Sequence, residues 1–489
     1  MKKTLLLGID MGTGGCKVTF TDSEGVIVHH ASREYSSHHP LPGWSEQNPA
    51  DWIQAFLEAL KNAAAHPDVD LCQVLCVAIS ASTHNAVLLD EKMSVIRPVI
   101  MWTDQRSVRE TECLEQNHGR AIFDIGFQKV SPTWTLPQLL WIKNNEPRAF
   151  EKIRRILFVK DYLRYSLTDV WGTDVIDAQG TLLFDMKKSV WSDVLCSMIP
   201  LPVNVLPPLH QPTDIIGKIT PEAARKTGLP AGTPVIAGSS DSAIEDYAAG
   251  ALEPGDCVLK LATAGNVNVM TARPCPHPQT LTYSHIIPDL WYTVSATNSA
   301  ASAQRWLRDV LNLSFETMEQ LADKIPAGSG GLIFHPYLLG ERSPYWNPHL
   351  RASFTGLHMS HSQGHLCRAL MEGVAFSLRD CLQPIHALGI DIKKFILIGG
   401  GARSRLWRRI VCDVFGQDIH VPEQCDASFG AALLAGVGAG IFKDVRAAVQ
   451  KTLKTSEKLT PNPDLHKQYS ALFDKYRKMQ ASLAPFYGQ

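Results

Sequence analysis

Twice in this chain of 489 residues, once in each half, a short apolar run breaks at a Thr/Gly turn and resumes as a second strand-like run. In the first, Leu5-Leu6-Leu7-Gly8-Ile9-Asp10 turns through Met11-Gly12-Thr13-Gly14-Gly15 and returns as Lys17-Val18-Thr19-Phe20-Thr21. In the second, Val258-Leu259-Lys260-Leu261 leads into Ala262-Thr263-Ala264-Gly265-Asn266 and returns as Val267-Asn268-Val269-Met270. Each pattern predicts a β-hairpin with a glycine-bearing tip. Glycines let backbone N–H groups converge on phosphate oxygens, and a threonine hydroxyl adds a donor. One such turn is most simply an ordinary hairpin. A matching pair argues for two similar domains with a boundary near residue 250, taken as 1–248 and 249–489.

Composition narrows the partners. The chain has 47 Lys+Arg against 48 Asp+Glu, a formal net charge of −1, and no basic block, so it lacks the electrostatic footprint of a nucleic-acid binder. The start, Met1-Lys2-Lys3-Thr4-Leu5-Leu6-Leu7, imitates a secretory signal, but Asp10 cuts the apolar run short and the stretch is expected to be a strand. Ala427 to Phe442 is uncharged and rich in Gly and Ala, yet shorter than the roughly twenty residues that span a bilayer, so a closely packed buried helix is expected and no membrane. Eleven scattered cysteines without a C-x-x-C pair fit reduced thiols in the cytoplasm.

Between the hairpins the chain reads as α/β. Asp22-Ser23-Glu24-Gly25 turns into Val26-Ile27-Val28 and extends the first hairpin to a meander. Asn48-Pro49 opens a helix carrying Trp52, Ile53, Phe56, Leu57 and Leu60 on one face. Val74 to Ser80 is a buried strand that ends at Ala81-Ser82-Thr83-His84-Asn85, and Pro234 to Gly238 is another, ending at Ser239-Ser240-Asp241-Ser242. Phe395 to Ile398, Gly399-Gly400-Gly401-Ala402 and a helix from Arg403 to Phe415 form a strand, glycine turn and helix suited to a nucleotide. A dinucleotide fold is the rival reading, but its third glycine position is Ser404 and no βαβ unit opens the chain.

Asp10 and Asp241 are both placed at the ends of apolar strands. Two such carboxylates could divide the work of phosphoryl transfer, one holding Mg²⁺ and one taking the proton of the attacking hydroxyl; otherwise each caps a turn or pairs with a cation. Trp102, Asp104 and Arg106 could form a sugar-binding set, although spacing alone favours a core tryptophan beside a surface ion pair. His358, His361 and His365 have a spacing that invites a metal, but no carboxylate or cysteine stands within the window, and polar loop residues are the simpler reading.

These motifs together carry a resemblance. Gly8-Ile9-Asp10-Met11-Gly12-Thr13-Gly14-Gly15, Trp44-Ser45-Glu46-Gln47-Asn48-Pro49, Trp102-Thr103-Asp104 and Lys160-Asp161-Tyr162-Leu163-Arg164 are joined by Pro336-Tyr337-Leu338-Leu339-Gly340-Glu341-Arg342-Ser343-Pro344. Phe354-Thr355-Gly356-Leu357 with His365-Leu366 and Ala369 to Glu372, then Gly399 to Ser404, complete the set. With them the chain resembles the FGGY carbohydrate kinases over nearly its whole length, and within that family it is most similar to the xylulose kinases.

The resemblance implies two ribonuclease-H-like α/β domains of the actin and hexokinase type, with ATP and sugar in a cleft between them. It implies an ATP- and Mg²⁺-dependent kinase for the terminal hydroxyl of a ketose, D-xylulose first, with another pentulose, hexulose or polyol, or a weakly catalytic sugar-responsive protein, as alternatives. By it, Asp241 matches the catalytic base, Asp10 the aspartate near Mg²⁺, with both carboxylates as metal-side groups. Gly12, Thr13, Gly14, Thr263 and Gly265 match the phosphate loops, and Gly400, Gly401, Ala402 and Arg405 the adenosine site. Thr83, His84, Trp102, Asp104, Asp241 and Ser242 fall on the sugar side. The partners implied are a small sugar and ATP, in the cytoplasm, and the resemblance allows a homodimer. Thr83-His84-Asn85 replaces the usual Met-His-Gly, Ser240-Asp241-Ser242 the usual Gly-Asp-Asn, and Ala262-Thr263-Ala264-Gly265 the usual Gly-Thr-Ser-Gly. No departure removes a catalytic carboxylate.

Overall fold

In the first hairpin, Leu5–Gly12 (β1) and Gly15–Asp22 (β2) pair antiparallel down to Gly12 opposite Gly15, which leaves Thr13 and Gly14 as a two-residue tip. Ile27–Glu34 (β3) adds the third strand of the expected meander. Val74–Ala81 (β4) then lies parallel to β1 on its other side, with Ile215–Lys218 (β5) and Pro234–Ile236 (β6) beyond it. The sheet order is β3-β2-β1-β4-β6-β5, and the short strand Ser239–Ser240 (β7) also pairs with β4. The computed structural model describes residues 4–487, so the first three residues of the signal-like start lie outside the described residues.

The second sheet repeats this plan. Asp256–Leu261 (β8), Gly265–Thr271 (β9) and Trp291–Thr297 (β10) form the antiparallel meander. Lys394–Ile398 (β11) lies parallel to β8, Ile419–Pro422 (β12) parallel to β11, and Thr455–Leu459 (β13) closes the edge antiparallel. The order β10-β9-β8-β11-β12-β13 matches the first sheet in strand direction, and the short strand Leu281–Ser284 adds an edge beyond β10 that the first sheet lacks. Leu261 pairs with Gly265, so this tip has three residues.

The helix Pro49–Ala64 forms as its sequence dictates: Asn48 accepts the N–H of Ala50, Pro49 fills the first turn, and Trp52, Phe56 and Leu60 are buried against the first sheet's core. Two starts shift from expectation. The helix expected from Arg403 is Arg405–Phe415, because Gly400–Arg403 is a tight 3₁₀ turn and Ser404 caps the helix by accepting the N–H of Trp407. Asp241 does not end a strand; it opens the helix Asp241–Ala248, capped by Ser240.

The compact units do not follow a single cut in the chain. One holds the described chain up to Gly250, Tyr283–Pro288 and Gln424–Leu453; the other holds Ala251–Thr282, Asp289–Glu423 and the chain from Lys454 on. The expected buried helix, Ala427–Gly438, therefore belongs with the first sheet, where it covers β1. A Cβ on Gly8 would stand 2.0 Å from the Ser428 carbonyl oxygen and 2.3 Å from the Ala432 nitrogen, so strand and helix touch backbone to backbone. Thr19 Oγ1 and Ser428 Oγ add a buried 2.6 Å hydrogen bond, and Lys17 reaches Asp426 at 3.2 Å. No helix among the described residues is long and apolar enough to cross a membrane.

Candidate active site

In the first unit the hairpin tip is held by its acceptors. Tyr35 donates its hydroxyl to the Gly12 carbonyl (2.5 Å) and its N–H to that of Gly14 (3.2 Å), and Gln47 Nε2 donates to that of Thr13 (2.7 Å). Carbonyl oxygens that would repel a phosphate are thus occupied from the protein side. Trp102 Nε1 donates to Thr13 Oγ1 at 2.9 Å, which leaves the threonine's own proton to give.

Asp10 lies two residues before the tip's closing pair, opposite Ser80 of β4. Its Oδ1 is buried with no partner. Burial, then the negative charges of Asp241 and Glu245, push its carboxyl well above the usual range. An orphaned buried carboxylate oxygen facing like charges is a site that a divalent cation would complete, and the hard oxygen donors fit Mg²⁺. Asp241 Oδ1 accepts the N–H of Ser242 at 2.7 Å and its hydroxyl at 3.3 Å. Asp241 and Ser242 are half-buried, so the carboxylate is within reach of a ligand.

His84 has a left-handed backbone (φ 51°) and is held at both ends: Asp177 Oδ1 accepts its N–H at 3.0 Å, and Thr135 donates to its carbonyl at 2.6 Å. The ring lies 4.9 Å from Trp134, Nδ1 is buried without a partner, and burial lowers the imidazole pKa to about 3. It is therefore a neutral group with hydrogen-bonding capacity unspent. Thr83 is half-buried in the same turn. Asn85, where the resemblance expects glycine, ties this turn to the next: its amide nitrogen donates to the Ser82 carbonyl and hydroxyl, and its oxygen accepts the Trp102 N–H at 2.6 Å.

Asp104 and Arg106 are not the surface pair that spacing suggests. Both are buried, Asp104 Oδ1 accepts the Arg106 N–H and Nε, and Oδ2 accepts Arg106 Nη2 and the Ser45 N–H. The guanidinium also reaches Glu46 at 2.7 Å and stacks on Trp44 at 3.7 Å. Both carboxylate oxygens of Asp104 are thus engaged inside the protein, and the pair braces the segment that presents Trp102.

In the second unit Thr263 is exposed at its tip, and Arg305 Nη2 donates to its hydroxyl at 3.0 Å. Ala300, Ser302 and the Ser302 hydroxyl all donate to the Thr263 carbonyl. A Cβ on Gly265 would lie 2.8 Å from Leu378 and Thr297 methyls, side-chain ends that can shift to make room. Gly399 (φ 97°) and Gly401 press on Leu261 at the base of the same hairpin, while Gly400 is open. The glycine turn and the Thr263 tip therefore adjoin. Ala402 is buried, and Arg405 is exposed on the first turn of its helix. The His358, His361 and His365 rings lie in series at 3.9 and 5.0 Å, and they bond to Ser360, Ser362 and the Gly330 carbonyl. Among the described residues no group of three His, Cys, Asp or Glu side chains is arranged to hold a metal.

Sequence reasoning missed Tyr35, Arg305, the bonds that Asn85 makes to Ser82 and Trp102, and the buried charges behind His84. Lys160-Asp161 and Arg164 stood in a quoted motif, but nothing in the spacing said they were buried. Arg305 is brought to Thr263 by tertiary packing alone.

A three-stranded meander followed by parallel strands, built twice, with a Thr/Gly tip on each and an aspartate pair beside one tip, defines a two-domain phosphotransferase of the actin and hexokinase type. The model of the FGGY carbohydrate kinase N-terminal domain matches residues 5–246 and that of the C-terminal domain residues 258–439. The chain is 32% identical to the xylulose kinase of Escherichia coli strain K12, covering 98% of this chain and 99% of that one. Its fold is similar to the solved xylulose kinase of Rhodospirillum rubrum (TM-score 0.88, 30% identity, 99% of both chains). It is also similar to the gluconate kinase of Lactobacillus acidophilus (TM-score 0.91, 25% identity, 99% of both chains). The chain belongs to the FGGY family of carbohydrate kinases, enzymes that use ATP with a divalent metal, and is a sugar phosphotransferase.

Proposed function

We propose that the protein phosphorylates the terminal hydroxyl of a ketose with Mg-ATP, and that the ketose is D-xylulose, giving D-xylulose 5-phosphate and ADP. The observation that carries this is the pairing of Asp10, with its orphaned buried oxygen, and Asp241, at the head of its helix. In this reading Asp241 takes the proton as the sugar oxygen attacks the γ-phosphorus and ADP leaves. Asp10, with Asp241 on the same side, would hold Mg²⁺, whose charge offsets that of the phosphates.

Each remaining residue then has a task. Thr13 and the N–H groups of Gly12 and Gly14 form one phosphate-binding tip, and Thr263 and Gly265 form another. Gly400, Gly401 and Ala402, with no side chain larger than a methyl, form a shelf for adenosine, which Arg405 flanks. Neutral His84, Thr83, Trp102 and Ser242 bind sugar hydroxyls and one apolar face, while Asp104 holds Trp102 in place. The first unit thus takes the sugar and the second the nucleoside. The xylulose kinase relatives support D-xylulose, and reduced cysteines and ATP suit the cytoplasm. A homodimer is compatible with all of this.

The test is ADP release from Mg-ATP across pentuloses, hexuloses, polyols and gluconate, with Asp241→Ala as control. D-xylulose should stimulate most, and Asp241→Ala should abolish turnover while retaining nucleotide binding. Stimulation by gluconate alone would replace the substrate, and turnover by Asp241→Ala would remove the base.

A further inference from the structure

Behind His84 and Ser239 lies a wholly buried charge cluster that the reaction itself does not use. Lys160 Nζ is 2.7 Å from Asp161 Oδ1, 3.0 Å from Asp174 Oδ1 and 3.4 Å from Asp177 Oδ2, with Thr173 Oγ1 at 3.2 Å. Arg164 adds a 3.1 Å contact to Asp161 and spends further donors on the Val170 and Gly172 carbonyls. Burying such a cluster brings little or no net stability compared with apolar packing, so its retention asks for another reason.

Two arms leave it. Asp177 Oδ1 accepts the N–H of His84 and so holds a non-glycine residue in the left-handed region, a conformation that needs outside support. Asp174 Oδ2 accepts the hydroxyl of Ser239 at 2.9 Å, two residues before Asp241 and next to the Ser240 cap of its helix. Asp174 also caps the helix Val175–Gln179 that carries Asp177, so the two arms share one rigid turn. Lys160 binds both acids at once.

Resting on the reading of His84 and Asp241 given above, we propose that Lys160, Asp174 and Asp177 form a positioning centre that holds the sugar-binding loop and the catalytic base in register. The Asp177 arm sets how well the sugar binds. The Asp174 arm sets how well the bound hydroxyl is aligned with Asp241. Neither arm touches the nucleotide loops.

The experiment compares steady-state kinetics of Asp177→Asn, Ser239→Ala and Asp241→Ala with the full-length enzyme, using active-site titration to correct for folded fraction. Asp177→Asn keeps an acceptor for His84 but loses the pull of Lys160, and should raise the KM for sugar roughly ten-fold with that for ATP within about two-fold. Ser239→Ala removes the other arm at nearly constant volume and should lower kcat roughly five-fold with both KM values unchanged. A merely structural cluster would change the folded fraction and melting temperature but move neither corrected parameter. Unchanged sugar KM in Asp177→Asn, or unchanged kcat in Ser239→Ala, overturns the proposal. If Asp177→Asn does not fold, Ser239→Ala alone decides. An active Asp241→Ala would instead remove the site reading on which the proposal stands.

Discussion

The two hairpins share a topology and differ in what they carry. Two pairs below the tip, the first has Asp10 opposite Lys17, and the second has Leu259 opposite Val267. Both threonines accept a side-chain N–H and so keep a proton to donate, but the donor is the neutral Trp102 indole at Thr13 and the cationic Arg305 at Thr263. One scaffold thus carries a carboxylate two pairs below the tip in one unit and a guanidinium at the tip in the other. In the proposed reading the shared part meets phosphate, and the divergent part is what each unit adds.

Removing the acidic side of the comparison should have the largest effect. Asp10→Asn is expected to lower kcat roughly a thousand-fold and to weaken the Mg²⁺ dependence, while ADP binding measured by calorimetry persists. Leu259 offers no such lever.

Packing behind the hairpins gives the next contrast. Gly8→Ala drives a Cβ into helix backbone and should destabilise the first unit by about 3 kcal/mol in urea unfolding, whereas Gly265→Ala meets only movable methyls and should cost about 1 kcal/mol. Equal losses would mean that the two faces are packed alike.

The threonines themselves sharpen the division of labour. Thr263→Val should raise the KM for ATP roughly ten-fold, because the hydroxyl beside Arg305 is lost from ground-state binding. Thr13→Val should act mainly on kcat by a similar factor, since its loop adjoins Asp10. Identical kinetic signatures would show that the carboxylate makes no difference to the loop.

The smallest effect concerns pH. His84 binds its proton at about 3 when folded against an ordinary 6.5, so the unfolded chain protonates first and this contribution to stability shrinks as pH falls from 6.5 toward 3. Asp177, raised to about 7 chiefly by burial, works in the opposite sense between 3.8 and 7. His84→Gln should therefore make the pH slope of unfolding free energy less positive by about 1 kcal/mol per unit between pH 5 and 6. An unchanged slope would mean that His84 is charged in the folded state.

The hairpins, the Asn48-capped helix, the strand into Gly399 and the buried character of Ala427–Gly438 were legible because periodicity, caps and glycines act locally. Where that last helix docks was not, since Gly and Ala give it an apolar surface without an address, and only the bare backbone at Gly8 receives it. The Asp104–Arg106 pair misled, and the Lys160 cluster stayed silent, for the opposite reason. Charges read as solvated when taken one at a time, and their burial depends on partners such as Glu46, Asp174 and Asp177 that lie elsewhere in the chain. Asp10 and Asp241 stood out in the sequence because each follows an apolar strand-like run, although Asp241 opens a helix. Arg305 did not, being one exposed helix arginine among others until the fold sets it beside Thr263.

That docking also has a consequence for how the protein is made. The ribosome completes the first sheet early, but the helix that covers β1 begins only at Ala427. At about 5–20 residues per second the nascent strand waits on the order of a minute with its Gly8 face uncovered. During that interval the growing chain offers an apolar surface to chaperones, and a message truncated before codon 427 would leave the earliest-made part of the enzyme unable to finish folding.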